Sequence, residues 1–141
     1  MQFEAELTPK QMLSAGIFGN SYFRIDKRCW LNEIPDEWKL GTTQTLLTPD
    51  SGHNQFGVLS GLPLKEWQRK GWIHPDDPCG WFQWYCRYYL GRRHDDDSRQ
   101  IGRWRNYVRR KGMLRMLVER GRDTARERQS LLQWGYRPGD Y

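Results

Sequence analysis

Between Gly80 and Arg93 the apolar positions recur at helical spacing. Trp81, Trp84, Tyr85 and Tyr88 fall at i, i+3, i+4 and i+7, and Phe82, Cys86, Tyr89 and Leu90 fill a second face. A helix that is apolar on nearly every side is buried on several sides, so this segment is expected at the centre of the fold, ending at Gly91. The pattern then turns amphipathic. Over 96–111, Ile101, Trp104 and Val108 form one stripe, while Arg99, Arg103, Asn106 and Arg110 lie opposite it. A short helix is expected from Met113 to Arg120, between Gly112 and Gly121. A last one, over 124–134, packs Leu131 and Trp134 and stops at Gly135.

The first half is less periodic. Thr8 and Pro9, followed by Gly16, read as N-cap, first-turn proline and terminating glycine of a helix over 9–15. Gly19 and Asn20 mark a turn before an aromatic extended segment, and Pro35 to Trp38 resembles a helical first turn with acids at its positive end. Thr42–Leu47 and Gln55–Leu59 read as short strands, and Pro63–Lys70 reads as a helix stopped by Gly71. His74 to Pro78 is a proline-fixed turn. The expected fold class is mainly α: a single compact helical domain, 1–141, around a central aromatic helix. Residues 1–60 form a small irregular or short-stranded N-terminal part, and 61–136 are helical.

Composition sharpens the picture in two ways. Hydrophobic residues make up 37% of the 141, low enough to suggest disorder, but eight Trp, seven Tyr and five Phe argue for a packed core. Charge is unevenly placed. Residues 1–86 hold eight Lys/Arg and ten Asp/Glu, a net of −2, whereas residues 87–137 hold fifteen and six, a net of +9. Fourteen of those fifteen cations are arginine, the side chain suited to bidentate phosphate contact and to stacking on flat rings.

That asymmetry nominates Arg92, Arg93, Arg99, Arg103, Arg109 and Arg110 as nucleic-acid-binding residues. The competing reading is a solvated helix face with internal ion pairs to Asp95–Asp97, Glu119, Asp123 and Glu127. The aromatic set Trp81 to Tyr89 could include a stacking pocket for a base, or be core alone. Asp76, Asp77 and Asp97 are the candidate catalytic carboxylates, and Asp76 and Asp77 could instead cap the aromatic helix. His94 with Asp97, or Asp76 with Asp77, supply at most two hard metal ligands. No metal and no cofactor are expected, and no nucleotide-binding glycine motif is present.

Three cysteines, Cys29, Cys79 and Cys86, fit free thiols in a reducing compartment. With no secretory leader pattern and no apolar run of membrane length, a cytoplasmic or nuclear protein is expected.

Several strings stand together. They are Phe18 to Arg24, Glu66 to Ile73, Asp77 to Arg93, Arg99-Gln100-Ile101-Gly102-Arg103-Trp104, and Arg128 to Trp134. The set resembles a family of small uncharacterised proteins with a Gly80-Trp81-Phe82-Gln83-Trp84-Tyr85-Cys86-Arg87-Tyr88-Tyr89 core, over most of 16–136. The resemblance implies one structural unit and brings no activity with it.

The expected function is nucleic-acid binding, DNA or RNA, through the arginine-rich helices. The alternatives are an enzyme acting on nucleic acid or nucleotides, and an interaction module for an acidic protein partner. A cleft with a perturbed carboxylate points to the enzyme. A basic face without a cleft points to the binder, and a basic face interrupted by exposed apolar residues points to the protein partner.

Overall fold

The structure, a computed structural model, describes residues 3–15, 17–18, 28–38, 69–71 and 73–139. The expected strands at 42–47 and 55–59, most of the expected 63–70 helix and the extended segment after Asn20 lie outside the described residues. Within them the chain is helical, with no strand. It comprises α1 (Pro9–Ser14), two 3-10 turns (Arg28–Glu33 and Asp36–Trp38), α2 (Trp81–Tyr89), α3 (Asp97–Tyr107), α4 (Arg109–Glu119) and α5 (Ala125–Gln133).

Local sequence explains most of these boundaries. The Thr8 hydroxyl accepts from Gln11 N at 3.1 Å and the Gln11 side chain accepts from Thr8 N at 2.9 Å, a reciprocal capping box with Pro9 just inside it. At the end of α2, Arg92 N reaches back to Arg87 O across Gly91, whose φ of 113° is available to glycine. Gly135 ends α5 and serves a second purpose. A Cβ there would sit 2.9 Å from the Ala5 Cβ, and the Gly135 carbonyl accepts Leu7 N at 2.9 Å.

As its spacing predicts, α2 is the centre. Trp84, Tyr85 and Cys86 have no exposed surface, and Trp81, Phe82 and Tyr88 are buried beside Met12, Ile17, Trp30 and Trp38. Two α2 tyrosines hold the N-terminal arm on this core. Tyr88 Oη accepts Phe3 N, and Tyr85 Oη accepts Ala5 N while donating to Leu7 O at 2.7 Å. The Phe3 ring then meets Trp84, Tyr85, Tyr88 and Trp104. Burial pushes the Cys86 thiol well above its ordinary pKa, so it behaves as a small apolar side chain.

The arginine-rich region departs from its expected division. In place of one helix over 96–111 and a short one from Met113, the break falls at Val108, and α4 runs uninterrupted through Gly112. Val108 is 46% exposed and leaves the buried stripe, while Ile101 and Trp104 stay against the core. The cause is distant in sequence. The Tyr136 hydroxyl donates to the Trp104 carbonyl, the acceptor an unbroken helix would offer to Val108 N. Val108 N turns instead to Arg105 O at 3.4 Å. Leu114, Leu131 and Tyr136 form a second buried cluster under this joint.

Candidate nucleic-acid interface

The turn before α2 and the segment after it meet around Asp77. Its carboxylate is fully buried and receives a bidentate pair from Arg92, both bonds 2.7 Å, and a third from Arg87 at 3.0 Å. Arg87 also donates to Asp76 O at 2.6 Å and forms a bidentate pair with Glu33 at 2.8 Å. Asp77 therefore does not cap α2. The helix starts at Gly80 with no side-chain cap, and Gln83 Oε1 takes Cys79 N at 2.8 Å instead.

The other two candidate carboxylates are also engaged. Asp97 accepts Trp84 Nε1 at 2.7 Å on one oxygen and His94 N at 2.9 Å on the other. Asp76 accepts from His94 Nε2 at 2.7 Å, and that hydrogen bond is the main reason its carboxyl lies below the usual range. Asp96, within the Asp95–Asp97 run expected to supply ion-pair partners, is the buried acid of the arginine segment. Burial pushes its pKa up, but Arg99, at 2.5 and 2.9 Å, outweighs burial and holds it below the ordinary value, with Gln100 adding a bond at 3.0 Å.

His74, Asp76 and His94 gather with potential ligand atoms within 4.8 Å of one another. Sequence reasoning did not group His74 with His94. The available signal was a repeat, His74-Pro75-Asp76 and His94-Asp95-Asp96, in which each Nδ1 accepts the backbone N–H two residues on, both at 3.0 Å. Those bonds fix the chemistry. A neutral ring whose Nδ1 accepts carries its proton on Nε2, so His94 presents an N–H to Asp76 rather than a lone pair to a cation. The arrangement is a hydrogen-bonded clasp across the two ends of α2, and it does not fit a metal in this geometry.

The six candidate arginines separate into two groups. Arg92 is held by Asp77 and Arg99 by Asp96. Arg103 donates to Gln100 Oε1 at 3.0 Å and lies 5.2 Å over the Trp134 ring; burial, with Arg99 nearby, pushes its pKa down to about 10. Arg93 is exposed, stacked 3.8 Å over Tyr88 and bonded to the Tyr88 and Arg92 carbonyls. Arg109 and Arg110 are exposed at the start of α4, Arg110 leaning 5.6 Å over Tyr107. Arg105, exposed one turn earlier, joins them. None of Arg105, Arg109 and Arg110 has a carboxylate partner among the described residues.

The aromatic faces are largely covered from within. Trp104 stacks on Tyr136 at 4.5 Å and Tyr107 on Trp134 at 4.8 Å, and Lys111 lies 5.3 Å over Tyr136. No aromatic side chain among the described residues is exposed. Nor is any helix among them long and apolar enough to cross a membrane. No known protein family matches the chain, and no curated protein or solved structure matches it.

Proposed function

We propose that this chain binds nucleic acid through its phosphate backbone, using Arg105, Arg109 and Arg110 at the joint between α3 and α4. The supporting observation is that these three guanidinium groups are exposed and have no carboxylate partner among the described residues, while Arg92, Arg99 and Arg103 are engaged by Asp77, Asp96 and Gln100. Residues 87–137 hold fifteen cations and six acids, and the acids that reach them from outside this stretch, Glu6, Glu33 and Asp77, meet Lys111, Arg87 and Arg92 rather than Arg105, Arg109 or Arg110. Like charge gathered on one surface opposes folding, and a polyanion relieves that repulsion. With the ring faces among the described residues stacked on each other, these residues offer phosphate contacts rather than base contacts.

Titrating labelled single-stranded and duplex oligonucleotides across a salt series tests this. Log affinity falls linearly with log salt, with a slope of about −0.9 per neutralised phosphate on duplex DNA. Binding that is absent at low salt, or unaffected by salt, overturns the reading.

A further inference from the structure

The outer face of α4 carries thioethers among its arginines. Met113 and Met116 are 41% and 40% exposed. At 100° per residue, Arg109, Gly112, Met113, Met116 and Arg120 share one face, away from the fully buried Leu114. Gly112 is the unexpected member. A glycine in a helix interior costs roughly 1 kcal/mol relative to alanine, yet a Cβ at Gly112 would meet nothing within 4 Å among the described residues. Packing among the described residues gives no reason for it, whereas close approach by another backbone would.

The chemistry of the occupant follows from its surroundings. Methionine is unbranched and polarizable, and it suits surfaces that receive varied apolar side chains. A thioether makes no phosphate contact of its own, although Met113 Sδ accepts Arg110 Nη1 at 3.8 Å. Arg109 and Arg120 flank the methionines and have no carboxylate partner among the described residues. Residues 97–122 hold nine cations and two acids, so a second copy of this face would be repelled. The complementary surface is apolar along one stripe and acidic beside it.

We infer that the outer face of α4 docks an acidic amphipathic helix of a partner protein. The partner's apolar stripe lies on Gly112, Met113 and Met116, and its carboxylates meet Arg109 and Arg120. This goes beyond phosphate binding, because it requires the methionines and the glycine, which phosphate binding does not use.

The test uses the full chain with 13C-methyl-labelled methionine and three probes. One is a synthetic peptide of about 18 residues with leucines at i, i+3, i+4 and i+7 and glutamates elsewhere. The second has the same composition scrambled, and the third is an oligonucleotide duplex. The ordered peptide is expected to move the Met113 and Met116 methyl resonances. Replacing Met116 (M116S) is expected to weaken that peptide about tenfold while leaving duplex affinity unchanged. Gly112→Leu has room for its side chain and favours the helix, so it blocks docking without unfolding the chain. Equal binding of the scrambled peptide, full affinity in the serine or leucine variants, or methyl shifts seen only with the duplex overturns the inference. The last outcome assigns the face to nucleic acid.

Discussion

Tyr136 lies flat on Trp104, ring centres 4.5 Å apart and planes within 4°, while its hydroxyl donates to the carbonyl of the same tryptophan. One side chain thus covers the indole and takes the helical acceptor that Val108 would otherwise use. The break between α3 and α4 at Val108 follows, with Arg105, Arg109 and Arg110 within one turn of it. Burial pushes the Tyr136 hydroxyl above its ordinary pKa, so it stays a donor well into the alkaline range.

Tyr136→Phe keeps the stack and removes the donor. The expected loss is about 1–2 kcal/mol, the cost of a carbonyl left without its buried partner. Tyr136→Ala removes both and costs about 3–5 kcal/mol. Urea denaturation of the two variants checks the order. Equal stability of Tyr136→Phe and wild type would remove the hydroxyl from the account of the joint.

Asp77 and Asp76 are neighbours with opposite expected sensitivities. Asp77→Asn removes the charge that holds Arg87 and Arg92, and costs about 3 kcal/mol, as one-sided loss of a buried pair does. Asp76→Asn disturbs an exposed contact and shifts the melting temperature little. Thermal melts of both variants, read beside oligonucleotide affinity per folded molecule, separate this from a catalytic or base-reading role for either residue.

Acid should destabilise the protein partly through Asp96 and Glu6. Arg99 holds Asp96 below the ordinary carboxylate range. The Lys111 and Arg137 contacts do the same for Glu6, against the upward push of burial. A depressed folded-state pKa contributes stability that is fully present above the unfolded value and is lost as pH falls through the folded one. Stability should therefore decline as pH drops below about 4. Asp96→Asn should lower stability at neutral pH and flatten that acid limb. An unchanged acid limb in this variant would mean that Asp96 is not depressed.

The arginines should divide functionally along the lines of their partners. Arg99→Gln and Arg103→Gln should lower the melting temperature and leave affinity per folded molecule nearly unchanged. Arg105→Gln and Arg109→Gln should leave the melt unchanged and reduce the salt slope by about one unit each. The reverse pattern would place the binding surface on the Asp96 side of α3.

Local spacing along the chain was enough to give the central helix, the Thr8 cap and Pro9 start of α1 and the position of the positive charge. Those are local facts. Trp81, Trp84, Tyr85 and Tyr88 sit within two turns of each other, and a hydrogen bond from residue i to i−4 needs no information from elsewhere. Gly91 and Gly135 mark helix ends because their backbone angles suit few other residues. Tertiary structure alone decided which arginines remain open, that Asp77 is a buried counter-charge, that His74 and His94 share Asp76, and that the long helix breaks at Val108. Each depends on a partner made near by packing rather than by spacing: Arg92 lies 15 residues from Asp77, Arg87 54 from Glu33 and Tyr136 32 from Trp104. Charge along a chain says how many guanidinium groups there are. Only packing chooses which of them meet a carboxylate first, because desolvating a charge costs most where the fold is closest and is offset only where a counter-charge is already held.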